Sequence, residues 1–204
     1  MATDLIYITV PTGNRTRSAL EVVKAWKALG FKVCVYTWDD DTYNSVFGIA
    51  DKLLTGCRKP FAILQNYMID EVIGHVCNGV IVGADDLYPG FNCEKISDYV
   101  EVHQGKALHI FDGVNSLQPT HPVLTRDFIL GNKPVFDERF VHNFCDTDLY
   151  KRYKKDFIKI NDIFFDHRHW SHQRREKDHI DEIACSSFEL DRIYYLHKHG
   201  SLAI

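Results

Sequence analysis

The sequence predicts an α/β fold, one compact domain with a mostly parallel central sheet flanked by helices. Three observations point to it. Short apolar or β-branched runs alternate with amphipathic stretches through the first ninety residues. Polar clusters at Pro11 to Arg15, Asp39 to Asp41 and Asp85-Asp86 fall where those runs end, and open α/β sheets bind ligands at strand carboxyl ends. No internal repeat, low-complexity tract or linker divides the 204 residues, a length that one buried core can serve.

The elements follow in order. Residues 5–10 read as an apolar strand, broken by Pro11-Thr12-Gly13-Asn14-Arg15, a run of turn-forming residues. Residues 18–29 set Leu20, Val23 and Leu29 against Glu21, Lys24 and Lys27, an amphipathic helix that Gly30 stops. A second strand over 31–37 runs into Trp38-Asp39-Asp40-Asp41. Residues 43–54 read as a helix, 61–64 as a short strand, and 66–76 as a helix with Met68, Ile69, Val72 and Ile73 on one face. Val80-Ile81-Val82 is a buried strand, because β-branched residues follow one another without a polar break. This β-α-β-α-β-α-β alternation implies a parallel sheet.

The second half is less regular. A strand is expected over 107–111, a loop with two prolines over 116–122, and a turn at Gly131-Asn132-Lys133-Pro134. A helix is expected over 146–155, capped by Asp or Thr, with acids in its first turn and bases in its last. Short strands over 157–160 and 163–165 and a closing helix over 180–197 complete the reading.

Composition excludes some classes. A net charge of −4 gives no global reason to bind nucleic acid or a membrane. No stretch approaches the roughly 18 apolar residues of a membrane helix, and no secretory signal opens the chain. Six cysteines without CxxC spacing read as free thiols of a reducing compartment, hence a cytoplasmic location. The first strand is followed by neither GxGxxG nor a P-loop, which argues against a dinucleotide fold or a P-loop nucleotidase.

Chemistry concentrates in a few places. Asp85 and Asp86 leave a buried strand side by side and repel each other unless a positive charge joins them. A divalent cation does so economically, completing its shell with substrate phosphates; a solvated turn is the bland alternative. His167-x-His169 places two imidazoles on one side of an extended segment, and neutral imidazoles are good metal ligands. A zinc site of His167, His169 and His172 is a rival reading. Asp146 and Asp148 stand at a helix start, as caps or as catalytic acids. Between Lys151 and Lys177 nine bases face four acids, interleaved with Tyr150, Tyr153 and Trp170. That is either a solvated face or a seat for a polyanion.

These segments, in this order, resemble the GT-A-fold nucleotide-sugar glycosyltransferases, most closely the family 2 type. Pro11-Thr12-Gly13-Asn14-Arg15 is similar to the donor-binding Pro-Thr-x-Asn-Arg turn, and Trp38-Asp39-Asp40-Asp41 to the acidic strand end that contacts uridine or ribose. Gly83-Ala84-Asp85-Asp86 resembles the metal-binding acidic motif. Phe136-Asp137-Glu138-Arg139-Phe140, then Cys145-Asp146-Thr147-Asp148-Leu149 and Arg152, resembles the block whose first Asp is the general base. Two departures stand out: Ala-Asp-Asp replaces a strict Asp-x-Asp, and Cys145 stands where the family often has Glu.

The resemblance implies a single GT-A domain, with residues 1–90 as the nucleotide-sugar half and 91–204 as the acceptor and catalytic half. It implies Pro11, Thr12, Asn14, Arg15, Asp39, Asn66 and Asp85 as donor-binding residues. Asp86, His167 and His169 would hold Mn²⁺ or Mg²⁺, and Asp146 would be the base of an inverting transfer, kept ionised by a helix N-terminus. The implied donor is a nucleotide sugar, UDP-linked by preference. The acceptor is any free hydroxyl: a glycan, a lipid-linked sugar, a protein side chain, or a hydroxymethylated DNA base as in small phage enzymes, flipped out to be reached. A hydrolase using water as acceptor, or a non-catalytic nucleotide-sugar or partner-binding module on the same fold, are the alternatives.

Overall fold

The computed structural model describes residues 5–74, 77–172 and 174–202. Its strands are β1 (Ile6–Thr12), β2 (Lys32–Thr37), β3 (Lys52–Thr55), β4 (Gly79–Val82), β5 (Leu87–Pro89), β6 (Ala107–Phe111), β7 (Val123–Thr125) and β8 (Phe157–His167). Its α-helices are α1 (Thr16–Ala28), α2 (Asp40–Val46), α3 (Phe61–Val72), α4 (Ile96–Val102), α5 (Arg126–Gly131), α6 (Cys145–Tyr153), α7 (His179–Ser186) and α8 (Phe188–His199). The strands form one sheet in the order β3-β2-β1-β4-β7-β6-β8-β5. The first four pair in parallel. β7 runs antiparallel to both β4 and β6, β6 and β8 are parallel, and β5 returns antiparallel to β8.

Alternation along the strands builds two cores. Ile6, Ile8, Val10, Val33, Val35 and Ile81 point to one face, where Ala19, Val22, Val23 and Trp26 of α1 cover them. Cys34, Tyr36, Val80 and Val82 point to the other, against Ala62, Met68, Ile69 and Val72 of α3 and against Phe128, Phe136, Phe140, Leu149 and Tyr195. Because both faces are covered, β1, β2 and β4 carry few polar residues. Trp26 Nε1 donates to the Leu87 carbonyl at 2.8 Å, tying α1 to β5.

Several expected elements shift. The helix expected over 43–54 ends at Val46, just before Gly48 at φ +75°, and the third strand is β3 instead. Its side chains are half-buried at the sheet edge, so no apolar run announces it. Residues 61–64, expected as a strand, are the first turn of α3. Phe61, Ala62, Leu64, Gln65, Met68, Ile69 and Val72 recur at helical spacing, so residues 61–72 form one helix. Positions 75 and 76 of the helix expected over 66–76 lie outside the described residues. The two short strands expected over 157–165 are one, β8, interrupted by a bulge: Ile110 pairs with Ile160, but Phe111 pairs with Phe164. The closing helix is two, α7 and α8, broken at Ser187. α6 starts at Cys145 behind Phe144 in a left-handed conformation (φ 62°), with no side-chain cap, so neither Asp146 nor Thr147 caps it.

Candidate active site

A cleft of about 510 Å³ opens at the carboxyl ends of the central strands, within the size range of small-molecule sites. Its lining includes Pro11, Thr12, Arg15, Trp38 and Arg58, then Asp85, Asp86, His121, His167, His169 and Arg175, and Asn115, Thr120, Asp146 and Thr147. Three expected clusters therefore meet: the turn after β1, the acid pair after β4, and the head of α6.

The acid pair is divided between two jobs. Asp85 accepts the Thr12 hydroxyl at 2.7 Å and Arg15 Nη1 at 3.0 Å, so it braces the first turn. Burial, offset by Arg15, and the neighbouring Asp86 push the Asp85 carboxyl up to about 6. Asp86 meets His167 Nε2 at 3.4 Å through one oxygen and Arg175 Nη2 at 3.3 Å through the other. Burial alone would raise it; the His167 contact and the surrounding positive charge carry it below the usual carboxylate range instead.

His167, the last residue of β8, sits at the centre. Its Nδ1 is 3.2 Å from Asp112 Oδ2, and its Nε2 faces both Asp86 and His121 Nε2, each at 3.4 Å. Burial works against its charge, but Asp112 and Asp86 prevail and raise it to about 9. His121 is pushed down to about 4 by burial and by His167. Among the described residues, Asp112, His121 and His167 offer ligand atoms within 4.8 Å of one another. His169 also reaches the cleft, but its Nδ1 is engaged by Ser171, whose hydroxyl oxygen lies 2.6 Å away. Of the expected ligands, Asp86 and His167 adjoin each other, and His167 belongs to the group that could hold a cation. The His172 side chain lies outside the described residues.

Above this centre, Arg15 and Arg175 share the carboxylates that open α7. Arg15 donates to Asp178 at 2.7 Å and 2.8 Å and to Asp181 at 2.7 Å. Arg175 donates to Asp181 at 2.6 Å and 2.8 Å. Asp178 and Asp181 also form the capping box of α7. The two guanidiniums face the cleft where a diphosphate would need positive charge.

Asp146 is the second residue of α6 and opens into the cleft. Expected to stay low at a helix N-terminus, its carboxyl is raised to about 6: burial outweighs the hydrogen bonds from the Thr147 backbone and hydroxyl. The head of α6 is held by Asp191, fully buried, which accepts the backbone N–H groups of Val141, His142 and Asn143 at 2.8–3.0 Å.

Other expected site residues stand elsewhere. Asn66 is outside the cleft wall. Its amide is exchanged with the Phe136 backbone, donating and accepting at 2.9 Å, and fixes the loop before α6. Asn14 is exposed in a left-handed turn (φ 59°), and its N–H donates to Asp39 at 2.7 Å. Asp39 caps α2 through Thr42 N at 2.8 Å, so it braces the turn from outside the wall. The basic run is also broken up: Arg152 pairs with Asp148, Arg168 and Arg174 with Asp166, and Arg175 with Asp86 and Asp181.

Sequence reasoning missed Asp112, His121, Arg175, Asp178 and Asp181. Each lies in a loop or at a helix head, Arg175 and Asp178 within a continuous polar run, and only the fold brings them together. The Asp178-to-Asp181 spacing did carry a capping signal.

No protein-family model matches the chain, and no curated protein sequence matches it. Solved structures do. S. aureus TarS matches with a TM-score of 0.60 and 15% identity over 78% of this chain and 36% of that one. The TarS 1-349 structure matches at 0.61 and 14%, over 78% and 59%. A197 from STIV matches at 0.52 and 9%, over 78% and 83%. The chain thus spans 36% and 59% of the two TarS chains. These likenesses show the fold: a mixed α/β domain around a mostly parallel sheet, consistent with a GT-A-like fold.

Proposed function

We propose that the chain is an inverting glycosyltransferase, taking a sugar from a nucleoside diphosphate donor, uridine by preference, to an acceptor hydroxyl with the aid of a divalent cation. One observation carries the reading. In a single cleft, the turn after β1, two arginines, an acid–histidine centre and the Asp146 carboxylate of raised pKa come together. The nucleoside end is lined by Pro11 and by Trp38, over whose ring Arg58 stands at 5.5 Å. Gly13 keeps this end narrow, since a Cβ there would stand 2.0 Å from Trp38 Cε2.

Arg15 and Arg175 bind the diphosphate and balance charge as it leaves. A cation held by Asp86 and His167 would supply Lewis-acid neutralisation of the same leaving group. Asp146 accepts the proton of the acceptor hydroxyl while its oxygen attacks the anomeric carbon. The bond to the diphosphate breaks on the far side, and one displacement inverts the configuration. A carboxyl near 6 is ionised at neutral pH yet more basic than an exposed carboxylate.

For the acceptor, duplex DNA with a hydroxymethylated base is a weaker candidate than the sequence suggested, because Arg152, Arg168 and Arg174 of the basic run are held in ion pairs. Exposed Lys154, Lys155 and Lys159 keep it in the assay beside glycans and peptides. The test is Asp146→Asn. Donor binding with Mn²⁺ stays within about twofold of wild type, while sugar transfer or donor hydrolysis, read by mass spectrometry, falls by about 10²–10⁴. Equal loss of binding and turnover would make Asp146 structural.

A further inference from the structure

We propose that His121 is itself a ligand of the cation. The seat is then built from His121 Nε2, His167 Nε2 and Asp86 Oδ1, and it selects a transition ion such as Mn²⁺, Co²⁺ or Zn²⁺ over Mg²⁺. The ion's catalytic role rests on the transferase reading; the seat itself rests on geometry.

The hydrogen bonds fix which nitrogens face inward. His121 Nδ1 lies 2.9 Å from the Val82 carbonyl. A carbonyl only accepts, so Nδ1 carries the proton and Nε2 holds a lone pair. His167 Nδ1 lies 3.2 Å from Asp112 Oδ2. Asp112 Oδ1 accepts the N–H groups of Val114 at 2.9 Å and Asn115 at 3.2 Å, which anchors that carboxylate as an acceptor. His167 therefore donates through Nδ1 and presents Nε2. Its neighbours there are His121 Nε2 and Asp86 Oδ1, each at 3.4 Å. Arg175 holds the other Asp86 oxygen at 3.3 Å, so a single oxygen is turned to the seat. The His121 and His167 Nε2 atoms and the Asp86 carboxylate are all well buried.

Such a cluster needs positive charge at its centre, either a proton or a metal ion. The spacing of the two rings suits a metal ion. Two nitrogens bound to one ion at about 2.1 Å with a tetrahedral angle stand about 3.4 Å apart. Each ring also has its far nitrogen fixed by an acceptor, as metal-binding histidines do. His169 differs: its Nδ1 accepts the Ser171 N–H at 3.3 Å, so its Nε2 carries the proton. Two imidazoles suit transition ions, whereas Mg²⁺ prefers an all-oxygen shell.

The test uses the full chain without nucleotide. Co²⁺ binding is followed by its visible absorption, and Mn²⁺ and Mg²⁺ by calorimetry. Wild type is expected to bind Co²⁺ and Mn²⁺, with Mg²⁺ in about 100-fold excess failing to displace Co²⁺. His121→Gln is expected to weaken Co²⁺ binding by about 30-fold or more, and His169→Gln by less than about threefold. If His121→Gln does not fold, broadening of the wild-type His121 ring signals by substoichiometric Mn²⁺ in NMR gives the same answer. Wild-type affinity in His121→Gln, an unbroadened His121 ring, or equal competition by Mg²⁺ would overturn the proposal. Metal binding as expected without any nucleotide-sugar binding would uphold the seat and refute the transferase reading.

Discussion

Asp146 illustrates how one residue trades stability for chemistry. Its carboxyl rises from an ordinary 3.8 to about 6 because burial disfavours its charge. The folded state therefore holds that proton more tightly than the unfolded chain, and stability falls as pH rises through the window from about 4 to 6. Above 6 the whole cost is present, about 1–2 kcal/mol once contact with cleft water is allowed for. Asp146→Asn removes it. At pH 7.5 the variant is expected to melt roughly 2–6 °C above wild type, with the gap closing near pH 4. Wild-type transfer is expected to fall on the acid side of about pH 6, where the base is protonated. A variant melting below wild type at pH 7.5 would show that the carboxylate stabilises the fold.

Among the elements, β4 and α6 position the chemistry. Gly83 follows β4 where it passes β1, and a Cβ there would stand 2.6 Å from both Ile8 Cγ1 and the Thr9 carbonyl oxygen. Gly83→Ala is expected to destabilise by about 1–3 kcal/mol and to weaken metal binding by displacing Asp86. Unchanged melting and metal affinity would mean the strand yields without cost. Asp191 holds the entry to α6 from α8. Asp191→Ala leaves three backbone N–H groups without their acceptor and is expected to lower the melting temperature by roughly 5–15 °C. Much of this element structure was legible in the sequence: β1, α1, β2, β4 and β6 follow runs that pattern alone reveals. β3 and the start of α3 were not, because Lys52–Thr55 is a half-exposed edge strand, and Phe61 to Leu64 reads as apolar whether helical or extended.

Across the whole molecule, the first half builds the parallel part of the sheet from local pattern, and the second half adds loops, short helices and the remaining strands. The strand-end motifs at Thr12, Arg15, Asp85 and Asp86 were readable because each is contiguous and follows an apolar strand. His121 and Asp112 were not: they lie on the loop between β6 and β7, and only the antiparallel return of β7 beside β4 brings His121 to the Val82 carbonyl. Asp178 and Asp181 meet Arg15 from 163 and 166 residues further along the chain, a contact no local pattern encodes. The fold also breaks up the basic run. Its arginines lie beside buried or half-buried acids rather than along one open face.

The central claim is that this cleft binds a nucleoside diphosphate-sugar together with a divalent cation. The most direct measurement is the melting temperature of the wild-type chain with UDP-, GDP-, ADP-, CMP- and dTDP-sugars, each with and without Mn²⁺. The expected result is stabilisation by one nucleotide class only when Mn²⁺ is present. At about 100 times the Kd, it amounts to roughly 2.7 kcal/mol, or about 5–10 °C. A folded protein whose melting temperature moves with none of these pairs would contradict it.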